Sequence, residues 1–90
     1  MLELKQTSQF KKDLRRMVKR GANMDLLDEV VLLLRERKPL PDKYEDHPLT
    51  GNWAGYRDCH IQPDWLLLYR VEENVLILSL TRTGSHSDLY

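Results

Sequence analysis

The run WLLLYRV at residues 65–71 constrains this chain most strongly. Its apolar residues fall on odd and even positions alike. Side chains of an extended segment alternate between two faces, so both faces of this one must be covered. It reads as the central strand of a sheet. The turn residues Gln62-Pro63-Asp64 precede it and Glu72-Glu73-Asn74 follow. Neighbouring strands are expected at residues 55–61, GYRDCHI, and 75–82, VLILSLTR. In the first of these, Tyr56, Asp58 and His60 point one way and Arg57, Cys59 and Ile61 the other.

The cover comes from upstream. Residues 2–6 alternate as a short edge strand. Thr7 or Ser8 can cap a helix whose apolar stripe is Phe10, Leu14, Met17 and Val18, and Gly21 ends it. Asn23 can cap a second helix over residues 24–37, with Leu26, Leu27, Val30, Val31 and Leu34 at helical spacing. Pro39 and Pro41 stop it. The link between the helices is so short that they must pack as a hairpin. The order β-α-α-β-β-β predicts an α+β fold, an antiparallel meander with a helical hairpin on one face. Residues 39–52 are left as a long polar connection, a kind of loop that is often functional. Tyr44 and Leu49 are expected to pin it, and Trp53 and Trp65 to join the core.

Ninety residues make one domain, 1–90, with a small core. Apolar residues at 41% and charged residues at 31% suit a soluble globular protein. No apolar run approaches the roughly 20 residues of a membrane span, and the polar start argues against a signal peptide. Cys59 is the only cysteine, so no internal disulfide forms, which fits the cytoplasm. It reads as a packing residue.

The formal net charge is zero, which argues against indiscriminate coating of nucleic acid, but the charge is uneven. Residues 1–22 hold seven bases against two acids. Lys11, Lys12, Arg15, Arg16, Lys19 and Arg20 cover the first helix outside its apolar stripe. That face is either an ordinary solvated exterior or a contact for an RNA backbone.

The chemistry lies in His47–Asp64 and in the tail. Asp58 and His60 are two residues apart on one strand face, with about 7 Å between Cα atoms. Asp64 follows at the turn, His47 comes from the loop, and His86 and Tyr90 come after the last strand. Histidines and carboxylates together suit general acid–base attack on a phosphodiester. A base takes the 2′-hydroxyl proton, and an acid protonates the departing 5′-oxygen. Arg82 or Arg57 can supply the cation at phosphate. Tyr90 can stack on a base. A zinc site from His47, His60, His86 and Asp58 is a second reading, although the spacings match no compact ligand motif. No metal and no other cofactor is expected.

The segment DHPLTGNWAGYRDCHIQPDWLLLYR, followed by RTGSHSDLY, strongly resembles the YafQ branch of the RelE-like toxins. The resemblance covers essentially the whole chain. It implies a microbial-ribonuclease-like fold and a ribosome-dependent endoribonuclease that cuts mRNA in the decoding site. It also implies a preference for adenine-rich lysine codons, a cognate antitoxin, and ribosomal RNA as the partner of the basic first helix. The branch's functional positions correspond to His47, Asp58, His60, Asp64 and His86. Its tail usually ends in Phe, where this chain has Tyr90. A non-catalytic inhibitor on the same scaffold, like the gyrase-poisoning relatives, is the rival reading. Such relatives are expected to lack this His/Asp set.

Overall fold

The computed structural model describes residues 1–90. Strand β1 (Glu3–Gln6) leads into α1 (Ser8–Lys19) and α2 (Met24–Arg35). The edge strand β2 (His47–Pro48) follows, then β3 (Arg57–Gln62), β4 (Trp65–Glu72), β5 (Ile77–Gly84) and a tail helix, α3 (His86–Leu89). The sheet order is β1-β5-β4-β3-β2. β2 with β3, β3 with β4 and β4 with β5 pair antiparallel, as the meander requires. β1 instead joins the far edge parallel to β5, pairing Glu3 with Ile77 and Gln6 with Leu80. The alternation of residues 2–6 marks a strand but carries no information about its neighbour.

The run at 65–71 is central, and Trp65 through Tyr69 are buried without a break. Trp65, Leu67 and Tyr69 pack with Phe10, Leu27 and Val30 under the helices. Leu66 and Leu68 point to the other face, opposite His60 and Asp58 respectively. Burying each such side chain contributes roughly 1.5–3 kcal/mol. Burial pushes the Cys59 thiol far above its ordinary value, in keeping with a packing role.

Local signals act as the residues suggest. The Thr7 hydroxyl accepts from the Phe10 N–H at 3.0 Å and itself donates to the Thr81 carbonyl at 2.8 Å, so the cap also fastens α1 to β5. The Asn23 side chain caps α2 by accepting from the Asp25 N–H.

Four expectations change. On α1 the buried stripe is Phe10, Asp13 and Met17, and Val18 is exposed. A charged residue occupies the stripe because β5 supplies its partners. The connection at 39–52 is not irregular throughout: short 3-10 turns form at Asp42–Tyr44 and Gly51–Trp53, with β2 between them. Tyr44 is buried as an anchor, whereas Trp53 is half-buried, set edge-on against Tyr56. The last strand begins at Ile77, because its ladders with Glu72 and Glu3 both start there, leaving Val75 and Leu76 in an exposed turn.

Candidate active site

The site is built on the face of β3 that carries Asp58 and His60. Because β2 pairs with β3, His47 lies directly opposite Asp58, with its Nε2 at 3.3 Å from Asp58 Oδ1. The His47 Nδ1–H donates to the Glu45 carbonyl at 2.7 Å. His60 comes next along the strand, its Nε2 at 3.9 Å from the same Asp58 oxygen and its Nδ1 at 3.0 Å from the Glu45 carboxylate.

The tail closes the site from the other side. After β5, Ser85 caps α3 in a reciprocal capping box with Asp88. Gly84 (φ +154) lets the chain turn there, and a Cβ would meet the Asp88 carboxylate at 2.9 Å. His86 then lies over the β3–β4 turn. Its backbone N–H donates to Asp64 Oδ1 at 2.9 Å, and its Nδ1 meets the same oxygen at 2.6 Å. These two contacts hold the Asp64 carboxyl below the usual carboxylate range. The His86 ring stands nearly perpendicular to that of His60, centroid to centroid 5.5 Å, and His60 is 6.4 Å from His47. The Tyr90 hydroxyl donates to Asp58 Oδ2 at 3.2 Å. Burial, then the Asp58 charge, pushes that phenol up to about 12. The residue as a whole remains 60% exposed.

Asp58 is only 4% exposed, and its Oδ1 has no hydrogen-bond partner. A buried carboxylate oxygen left open and flanked by two imidazoles is poised to accept a proton or a substrate hydroxyl. An open cleft of about 460 Å³ lies beside His60, and its lining includes Leu26, Lys43, Tyr44, Glu45 and Ile61. That size suits a small ligand or part of a larger one.

The cations divide. Arg82 donates Nε and Nη2 to the fully buried Asp13 at 2.9 and 3.0 Å. Burial would raise the Asp13 pKa, but hydrogen bonds from Arg82, Gln9 and the Thr83 N–H outweigh it and hold the carboxyl low. Arg57 is taken up by Asp46, which also accepts from the Tyr69 hydroxyl. At the C-cap of α1, Arg20 forms a bidentate pair with Asp88 at 2.6 and 3.0 Å, and Arg16, on the helix, approaches it at 3.5 Å. Lys11, Lys12, Arg15 and Lys19 are exposed. The basic face is therefore not uniform: Arg16 and Arg20 fasten the tail, and the other four face solvent.

The five acid–base candidates lie together on one surface, with Tyr90 against them. Sequence reasoning missed Glu45, Asp88 and Asp13. The Ser85–Asp88 capping box is a local pattern, but Arg20, Arg82, Thr83 and His60 lie at distant positions from the acids they meet, and only the fold brings those into contact. No three His, Cys, Asp or Glu side chains converge closely enough to enclose a metal ion.

A family model described as a bacterial toxin of type II toxin-antitoxin system, YafQ, matches residues 2–90. The mRNA interferase toxin YafQ of Escherichia coli (strain K12) is 39% identical over 89 residues, spanning 98% of this chain and 95% of that protein. A metal-bound toxin from Helicobacter pylori superposes with a TM-score of 0.95 at 43% identity, covering both chains completely. YafQ in the Escherichia coli DinJ–YafQ complex superposes at 0.90 with 38% identity, covering 100% of this chain and 99% of that one. Family match, sequence identity and fold agree along the whole length: this chain belongs to the YafQ family of type II toxin–antitoxin toxins.

Proposed function

We propose that the protein is a ribosome-dependent endoribonuclease that cleaves mRNA by acid–base attack of the 2′-hydroxyl on phosphorus, without a metal. The observation that carries this reading is the set of three imidazoles, each beside a carboxylate. His47 faces Asp58, His60 faces Glu45 and Asp58, and His86 faces Asp64. Neighbouring rings are 5.5 and 6.4 Å apart, close enough for two of them to flank one phosphodiester. Histidine titrates near neutral pH and can serve as either acid or base.

In this mechanism His86 and the Asp58–His60–Asp64 group carry the proton transfers. One of them takes the 2′-hydroxyl proton, the 2′-oxygen attacks phosphorus, and another protonates the departing 5′-oxygen. His47 shares or positions these transfers. Arg82 steadies the phosphate through the edge of its guanidinium that Asp13 does not occupy. The ring of the exposed Tyr90 stacks on a base and holds the nucleotide for attack. Lys11, Lys12, Arg15 and Lys19 meet ribosomal RNA, with Arg16 and Arg20 contributing from beside the tail. A relative is described as metal-bound; no step of the mechanism proposed here passes through an ion.

By the same family logic a cognate antitoxin neutralises the toxin, as DinJ partners YafQ. The protein works in the cytoplasm, where ribosomes and message are.

Cleavage mapping on a translated message tests the reading. Discrete breaks are expected with ribosomes and few without, unchanged when the toxin alone is stripped with chelator and the chelator removed before the assay. His86→Ala should lower the rate by roughly 10²–10⁴. Wild-type cutting by that variant would remove His86 from the mechanism. Equal cutting of naked RNA would remove the ribosome, and loss of activity in toxin stripped of metal before the assay, regained on adding the metal back, would restore a metal. Arrest of growth with intact messages would favour the non-catalytic inhibitor.

A further inference from the structure

All three imidazoles are held at the same ring atom. Nδ1 of His47 meets the Glu45 carbonyl, Nδ1 of His60 meets the Glu45 carboxylate, and Nδ1 of His86 meets Asp64. Nε2 of His86 is then left open, while Nε2 of His47 and Nε2 of His60 are turned toward Asp58 Oδ1, 3.3 and 3.9 Å away. Two of these three holding atoms belong to one residue.

We propose that Glu45 is a positioning residue that sets the tautomer and orientation of both His47 and His60, an assignment that rests on the nuclease reading above. Its backbone explains how one residue reaches both rings. The 3-10 turn at Asp42–Tyr44 is anchored by the buried Tyr44. Glu45 closes that turn in the left-handed region, φ 49 and ψ 42, with its N–H donating to the Asp42 carbonyl at 3.0 Å. A side chain with a Cβ rarely adopts this conformation, and glycine or asparagine is its usual occupant. Strain of this kind persists where surrounding contacts over-determine it, and it concentrates at functional sites. Here the reversal turns the carbonyl toward His47, 2.7 Å away, while the side chain reaches His60, 3.0 Å away.

The chemistry follows from what each atom can do. A carbonyl oxygen only accepts, so His47 carries a proton on Nδ1; Asp58 Oδ1, 3.3 Å from Nε2, also only accepts, so Nε2 donates to it when the ring holds its second proton. An ionised carboxylate likewise only accepts, so Glu45 favours the Nδ1–H form of His60. The partner of one ring nitrogen decides the state of the other. With Nδ1 engaged, Nε2 of His60 lies on the side of Asp58 Oδ1, the open buried oxygen. Glu45 also lines the cleft beside His60, so it bounds the space a nucleotide would enter.

Glu45→Gly isolates the carboxylate. Glycine adopts the left-handed backbone readily, so the turn and the carbonyl under His47 are kept while the contact to His60 is lost. Two readouts apply to the purified toxin. Imidazole nitrogen NMR, at a pH where the rings are neutral, reports each histidine's tautomer without reference to activity. Cleavage of a translated message reports kcat and KM separately.

In Glu45→Gly, His60 should lose its Nδ1–H preference while His47 keeps its own. The kcat should fall about ten- to a hundredfold, taking as guide the loss of a partner that orients a metal-bound histidine, with KM within about twofold. Glu45→Gln, which still offers an accepting oxygen, should recover most of the tautomer and part of the rate. An unchanged His60 tautomer, or an unchanged kcat in a toxin that cuts, overturns the assignment. A wild-type toxin that leaves translated message intact overturns the nuclease reading instead, whatever the tautomers show.

Discussion

A carboxylate can be buried when its oxygens are matched, and Asp13 and Asp58 represent the two outcomes. Asp13 is completely buried, and Arg82, Gln9 and the Thr83 N–H satisfy it. Replacing it with Ala would leave the Arg82 guanidinium, 23% exposed, without its partner. Asp13→Ala should therefore cost about 3 kcal/mol in urea unfolding, the low end for breaking a buried pair. Asp58 is buried almost as deeply, yet one oxygen stays open. The Tyr90 phenol on its other oxygen is pushed up to about 12. A raised pKa means the folded state holds the proton more tightly. That stability is fully present below the unfolded value of about 10 and is lost as pH rises through the folded one. Between these limits wild type should lose stability that Tyr90→Phe keeps, as read by comparing their unfolding curves. The sequence revealed Asp58, His60, His47, Asp64, His86 and Tyr90 as chemistry-bearing residue types. It did not reveal Asp13 or Glu45, because an acid on a helix stripe or in a loop looks like any solvated charge until its partner is known.

Among the elements, α3 depends most on others. A helix of four residues does not hold itself, since nucleation is unfavourable and few bonds repay it. Its order comes from the Ser85–Asp88 capping box, the bidentate Arg20–Asp88 pair and the Asp64–His86 contacts. Asp88→Ala removes the first two. It should cost about 1 kcal/mol, the worth of a lost cap, because the exposed ion pair adds little. Amide exchange at residues 86–90 should quicken, and cleavage should weaken as His86 loses its register. The Arg20 guanidinium, then the Ser85 N–H, holds the Asp88 carboxyl far below the usual carboxylate range. A depressed pKa contributes stability above the unfolded value of about 3.9 and loses it as pH falls toward the folded one. Acid titration of wild type against Asp88→Ala should show that difference only below about pH 4. The basic pattern on α1 was plain from its residues. Its division between tail fastening and a free face was not, because Asp88 lies 68 residues beyond Arg20.

At the scale of the molecule, β4 joins the helix-side core to the site. Leu68 is fully buried on the site face, directly opposite Asp58. Leu68→Ala should cost about 2–5 kcal/mol in global unfolding, and cleavage should fall as the floor under Asp58 collapses into the cavity. Residue order alone specified the α+β class, the central strand, the two capped helices and the shared face of Asp58 and His60. Each of these depends on periodicity, capping or alternation, which act over a few residues. Tertiary structure alone decided that β1 lies parallel to β5, that Arg82 answers to Asp13, that Glu45 reaches two histidines, and that the tail lies on Asp58. Apart from the Glu45–His47 contact, which spans two residues, these join segments distant in the chain, selected by which surfaces must be buried together, and no local pattern encodes them.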